Sequence, residues 1–261
     1  MPLLEFQQIK EQYPESLQPF ERSILREYLQ YKVLQATFDS KHASKLAFLG
    51  GTALRIVYGN TRFSEDIDLD NFGLSWAAFE EVIEKVNRFL SLEGFEVEVK
   101  NVKKGAYHCN LRFPKLLYDE GLSPLPGEKI LIQVDTTAQG YEYQPDVVLL
   151  NKFDVFAEIR VTPLDTLLSQ KIYTAVNRKR PKGRDFYDIS FLASRTKPDY
   201  GFLKHTMDVD TEEKLKEEIT SRIGEYDFNT IADDVAPFLM NRNEINRVQK
   251  FPVFWEQVKF G

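Results

Sequence analysis

Cysteine is almost absent from this sequence: Cys109 stands alone among 261 residues. A single thiol excludes an intramolecular disulfide, and in the apparent strand from Tyr107 to Phe113 it reads as a small buried hydrophobe rather than a nucleophile. Histidine is nearly as scarce, with three residues far apart, so no His/Cys cluster has zinc-ligand spacing. No apolar run approaches the length of a membrane span. The N-terminus, Met1-Pro2-Leu3-Leu4-Glu5-Phe6, lacks the basic and apolar stretches of a signal peptide. These absences predict a cytoplasmic protein with no membrane partner. A surplus of positive charge is missing too, and the net charge of -6 argues against a uniformly basic nucleic-acid-binding surface. Disorder is excluded by what is present: 43% of the residues are hydrophobic and 13% aromatic, ample material for a core.

The hydropathy pattern divides the chain near residue 160. Ile24, Tyr28, Tyr31 and Leu34 recur at helical spacing within the first forty residues, as an N-terminal helical extension. The run Leu46-Ala47-Phe48-Leu49 then ends in Gly50-Gly51 and leads into a helix with Thr52 near its cap, so the expected order is strand, glycine turn, helix. From Asp66 to Asp70 acidic and apolar residues alternate, the period of a strand with one polar face. A helix is predicted from about Ser75 to Leu92 with Phe79, Val82, Ile83, Val86 and Phe89 as its stripe. Strands are predicted at Phe95 to Val102, Ala106 to Phe113 and Lys129 to Thr136. From Pro163 the period becomes helical, with Leu164, Leu167, Leu168, Ile172 and Val176 in one stripe and a second helix from Arg184 to Ala193. The expected fold is therefore α+β: a catalytic domain over 1–160 with a mixed sheet, then a helical domain over 161–261. No internal repeat or low-complexity tract interrupts this order.

Two aspartates at i and i+2 on a strand present both carboxylates to one face, close enough to share a hard divalent cation such as Mg²⁺ or Mn²⁺. Asp66 and Asp68 meet that condition. Asp135 can add a third carboxylate only if its strand pairs beside theirs. Upstream, a Gly-Gly turn at the mouth of a helix lets backbone N–H groups approach phosphate oxygens without Cβ interference, and Thr52 adds a hydroxyl. Alone, Gly-Gly-Thr marks only a tight turn, and Asp-x-Asp only a solvated strand face. Together, in the order strand, turn, helix, strand, they point to binding of a nucleoside triphosphate and metal. Further on, Arg178, Lys179, Arg180, Lys182 and Arg184 crowd into seven residues of an acidic chain. They read either as a solvated loop between helices or as a phosphate-contacting patch for RNA.

The segment Phe48-Leu49-Gly50-Gly51-Thr52-Ala53-Leu54-Arg55, followed by Arg62-Phe63-Ser64-Glu65-Asp66-Ile67-Asp68-Leu69, resembles the AbiEii/AbiGii toxin family of DNA polymerase β-like nucleotidyltransferases. Lys171-Ile172-Tyr173-Thr174-Ala175 with Arg184-Asp185-Phe186-Tyr187-Asp188-Ile189 is similar to the second signature block of that family. The blocks bracket 48–189, about half the chain. The resemblance implies that Gly50, Gly51 and Thr52 contact the triphosphate, that Ser64 helps position it, and that Asp66 and Asp68 bind the metal. Asp135 matches the third carboxylate of the wider superfamily. It further implies that Lys171 is the essential basic residue near the phosphates and that Asp188, or else Asp185, is the essential acidic one, so that the helical domain completes the active site. Without the resemblance, Lys171 reads as a surface lysine between Leu168 and Ile172, and Asp185 as a capping residue near a helix start.

The implied function is transfer of a nucleoside monophosphate from an NTP to an acceptor, the 3′ end of tRNA, by the toxin of a type IV toxin–antitoxin or phage-defence system. A cognate antitoxin encoded nearby is the implied partner. Two alternatives keep parts of this reading: the same chemistry on a protein or an aminoglycoside-like small molecule, or a nucleotide-binding module without catalysis.

Overall fold

The computed structural model describes residues 4–260. Met1-Pro2-Leu3, part of the N-terminal segment read above, lie outside the described residues, as does Gly261. Two compact units divide the chain. The first comprises 4–57, Ser64–Gly140 and Pro145–Val161; the second comprises Tyr58–Phe63, Tyr141–Gln144 and 162–260. Two short excursions thus accompany the change of character near 160.

The first unit is built on a seven-stranded mixed sheet. Its strands are β1 (Leu46–Leu49), β2 (Ile67–Asn71), β3 (Glu98–Lys104), β4 (Ala106–Phe113), β5 (Ile130–Thr137), β6 (Asp146–Lys152) and β7 (Val155–Val161), in the spatial order β3-β4-β5-β2-β1-β7-β6. The pairs β2/β5 and β1/β7 are parallel and the others antiparallel. Alternation sorts the side chains. Phe48, Ile67, Leu69, Val134, Ile132, Cys109 and Leu111 point to one face and are buried there beneath α2 (Glu21–Phe38) and α4 (Trp76–Leu92). Each such side chain removed from water contributes roughly 1.5–3 kcal/mol. Burial also pushes the Cys109 thiol up to about 12, which keeps it an inert hydrophobe.

Ile24, Tyr28, Tyr31 and Leu34 are all buried on α2, and Ser75 caps α4 by accepting from the Ala78 N–H at 3.2 Å. The buried stripe of α4 is Phe79, Val82, Ile83, Val86 and Leu90. Leu90 takes the place expected for Phe89, because i+7 to i+11 keeps the core face where i+10 rotates off it. The helix after the glycine turn, α3 (Gly50–Ile56), begins two residues earlier than expected, so Thr52 lies within it rather than at its cap. Strands β6 and β7 have no counterpart in the sequence reading.

The second unit is helical. It contains α6 (Leu164–Asn177), α7 (Gly183–Leu192), α8 (Tyr200–Met207), α9 (Glu212–Ile223), α10 (Phe228–Ala232), α11 (Asn246–Gln249) and α12 (Phe251–Gln257), after two short first-unit helices, α1 (Phe6–Glu11) and α5 (Leu116–Asp119). Its core is aromatic: the Phe186 ring meets those of Phe228 and Phe251 at centroid distances of 4.9 and 4.8 Å. No helix among the described residues is long and apolar enough to cross a membrane.

Candidate active site

In the first unit the glycine turn and the acidic strand meet directly. Gly50 adopts φ +80°, a left-handed conformation open to glycine, and a Cβ there would lie 2.2 Å from Asp68 Oδ2. The glycine is therefore needed twice, for its backbone and for the carboxylate lying over it. Leu49 is the register partner of Asp68 on β1, so the turn leaves β1 at the level of that carboxylate. Gly51 is buried in the first turn of α3, and the buried Thr52 hydroxyl donates to the Asp66 carbonyl, tying α3 to the entry of β2. Arg55 anchors the same helix to α2 through Glu27 at 2.7 Å. Burial alone would raise the Glu27 pKa, but Arg55 and then Lys152 outweigh it, so this carboxyl is held below its ordinary value.

Asp68 on β2 and Asp135 on β5 are register partners in parallel strands, so their side chains share the face away from the helices. The condition set for Asp135, that its strand lie beside the first, is met. His108, on β4, is the next register partner in the same row. Its Nδ1 lies 2.7 Å from Asp135 Oδ1, and Gln133 Nε2 reaches both Asp135 oxygens at 3.0 and 2.8 Å. Because an ionised carboxylate only accepts, His108 Nδ1 carries the proton it donates. Asp66 directly precedes β2 and, like Asp68, is half-buried. Asp70, the third acidic residue of the alternation, is buried and accepts from the backbone N–H groups of Asn71 and Gln139, a structural task. The carbonyls of Ser64 and Glu65 receive Gln30 Nε2, and the Ser64 hydroxyl has no partner among the described residues. Among those residues no group of three or more His, Cys, Asp or Glu is arranged to hold a metal ion.

The second unit holds the other predicted residues. Asp188, 0% exposed, is gripped by Arg62 through Nε at 2.8 Å and Nη2 at 2.6 Å, by Asn60 Nδ2 at 2.9 Å, and by Lys171 Nζ at 2.9 Å. Burial would raise its pKa, but the charges of Arg62 and Lys171 and their hydrogen bonds bring it down to about 2. Lys171 also reaches Asp185 Oδ1 at 3.3 Å, and its side chain is only 15% exposed, so it does not snorkel to the surface. Asp185 pairs with Arg178 at 3.2 Å as well. Of the two aspartates left open by the sequence, Asp188 is the centre of the network and Asp185 its edge.

The basic run is only partly available to a ligand. Arg178 is engaged by Asp185, Lys182 lies 3.6 Å from Asp234, and Arg184 sits over the Phe238 ring. Lys179 and Arg180 are exposed and make no ion pair among the described residues. Tyr187 is 0% exposed and hydrogen-bonds Glu244 and Thr61, whereas Tyr173 on α6 is exposed.

Sequence reasoning passed over Arg62 and His108. Arg62 lies inside a quoted motif, and its burial with Asp188 joins positions 126 residues apart. His108 had one signal, its place in a strand at the level of an acidic neighbour, which becomes visible only when the pairing of β4 with β5 is known.

A family model described as nucleotidyl transferase AbiEii toxin, type IV TA system, matches residues 32–250. Among solved structures, JHP933 from Helicobacter pylori is similar with a TM-score of 0.54 at 16% identity, covering 90% of this chain and 91% of that one. A second H. pylori protein, whose assignment as a nucleotidyltransferase is provisional, has the same TM-score and identity over 91% of this chain and 96% of that one. At such identity the likeness is one of fold. Curated proteins give no match.

Proposed function

The chain belongs to the AbiEii nucleotidyltransferase toxin family, and on that premise we propose that it transfers a nucleoside monophosphate from an NTP to the 3′-hydroxyl of an RNA, tRNA in the first instance. The observation that carries this reading is the meeting of Gly50, Asp68 and Asp135: a turn without Cβ atoms against one carboxylate, with a second in register on the adjacent strand. Asp68 and Asp135, with Asp66 directly before β2, supply the carboxylate oxygens that would hold a hard divalent cation, Mg²⁺ or Mn²⁺. When bound, such a cation neutralises the triphosphate and the departing pyrophosphate.

The transfer balances simply. The acceptor oxygen forms a bond to the α-phosphorus, the bond from that phosphorus to the bridging oxygen breaks, and pyrophosphate leaves with the electron pair. The hydroxyl proton passes to Asp135, which His108 and Gln133 hold in a fixed orientation. On this reading the backbone around Gly50, Gly51 and Thr52 receives phosphate oxygens, and the Ser64 hydroxyl donates to one. In the second unit we assign the essential pair of the later block to Lys171 and Asp188. Asp188 holds Arg62, which also donates to the Phe63 carbonyl at 3.0 Å. Lys179 and Arg180 are what the basic loop offers to an RNA phosphate.

As a toxin of a type IV pair, the protein would have an antitoxin partner, sought in the adjacent reading frame. The transfer itself is tested by incubating it with each α-labelled NTP, Mg²⁺ and total tRNA. Labelled RNA is expected from the unaltered chain, with loss of about 100-fold or more in Asp68→Asn and no label after chelation of divalent ions. If none of the four NTPs labels RNA, the reading is wrong; label on protein alone would move the same chemistry to a protein hydroxyl.

A further inference from the structure

The face of the sheet that carries Asp68 and Asp135 ends in a basic edge. Across it the row Asp68, Asp135, His108, Val102 runs in register from β2 through β5 and β4 to β3. The next row is Gln133, Asn110, Lys100. Alternation along β3 places Lys100 and Lys104 on this same face, either side of Val102. Lys103 points the other way, with its ammonium 6.0 Å from the centroid of Trp76, whose ring packs on Tyr107. Lys100, Lys103 and Lys104 are exposed, and none forms an ion pair among the described residues.

The chain that carries this edge is acidic overall. Its net charge is -6, and Arg22, Arg26, Lys32, Arg55, Lys129 and Lys152 are all matched by carboxylates in the same unit. Three uncompensated cations within five residues raise the local potential for polyanions on an otherwise acidic surface. Three strand spacings of ~4.8 Å separate β3 from β2, so the basic edge lies about 14 Å from the carboxylates. The half-buried Asn110 lies between, with an amide able to bond a base edge.

We infer that the β3–β4 hairpin is the docking rail for single-stranded RNA leading to its reactive 3′ end. Lys100 and Lys104 take phosphates a few nucleotides upstream of the hydroxyl, and Lys103 with Trp76 carries the cationic edge around the tip of the hairpin. This rests on the transferase reading above and adds to it the surface that holds the acceptor.

The test uses the full chain with Lys100→Glu, Lys103→Glu and Lys104→Glu combined, beside the matching triple Gln variant in case the reversed charges disturb folding. Affinity for a fluorescent single-stranded RNA and for tRNA is measured by anisotropy against salt, with NTP·Mg²⁺ binding and thermal midpoint alongside. RNA affinity should fall roughly 10- to 100-fold, and the slope of log affinity against log salt should shrink by about 2, with NTP binding unchanged. Unchanged RNA affinity and salt slope in a folded Gln variant would overturn the inference. The two readings fail separately. RNA that the unaltered protein labels, and the variant labels with the same KM, removes the rail and leaves the transferase. RNA that is bound through the hairpin but never labelled removes the transferase and leaves the rail; an unaltered protein that binds no RNA removes both.

Discussion

At Gly50 two separate demands fall on one residue, and they can be pulled apart by substitution. The backbone sits at φ +80°, and the space where a Cβ would go is taken by Asp68 Oδ2 at 2.2 Å. Gly50→Ala therefore strains the backbone and displaces the carboxylate, and is expected to cost more than about 1 kcal/mol of stability and to abolish nucleotide transfer. Asp68→Asn should abolish transfer while leaving the thermal midpoint nearly unchanged. The double variant Gly50→Ala/Asp68→Ala removes the atom that the new methyl meets. It should recover part of the stability lost in Gly50→Ala and none of the activity. Were the double variant no more stable than Gly50→Ala, backbone conformation alone would explain the glycine, and the close approach of Asp68 would lose its importance.

Among the elements, those with a local signal were legible in the sequence and those that depend on distant partners were not. The order β1, glycine turn, α3, β2 is spelled out by a short apolar run, two glycines and an acidic alternation, all within 25 residues. The pairing of β2 with β5, which brings Asp135 and His108 to Asp68, is not local, and the sequence could state it only as a condition. The hairpin of β6 and β7 left no trace because its turn lacks glycine, asparagine or proline. Phe153 occupies the turn at φ +59°, a conformation seldom adopted by an aromatic residue. What holds it there is tertiary: its ring meets Tyr28 and Tyr31 edge-on at 5.3 and 5.2 Å, and Tyr13 at 6.0 Å. Phe153→Gly tests that balance. It relieves about 1–2 kcal/mol of left-handed strain but forfeits the packing of a half-buried ring, so a net loss of about 1 kcal/mol or more is expected in chemical unfolding. A gain in stability would mean that the rings of Tyr13, Tyr28 and Tyr31 do not hold this turn.

At the scale of the whole chain, charge is sorted between places where it is matched and places where it is left for a partner. Asp188 is the deepest matched site. Arg62 and Lys171 face it directly, Asp185 stands beside Lys171, and Arg178 faces Asp185. Its folded pKa of about 2 lies below the ordinary unfolded value of about 3.9. A depressed carboxyl contributes stability that is fully present above the unfolded pKa and is lost as pH falls through the folded one. The window here therefore runs from about pH 4 down to about pH 2. Asp188→Asn leaves Arg62 buried without its counter-charge and is expected to cost about 3–5 kcal/mol at pH 7. Because the asparagine does not titrate, the gap between the two proteins should narrow on acidification, by about 1 kcal/mol at pH 3. Denaturant unfolding of both proteins at the two pH values measures it. A gap that is equally wide at pH 3 would show that Asp188 does not owe its ionisation to Arg62 and Lys171, and the matched-charge account of the second unit would fail with it.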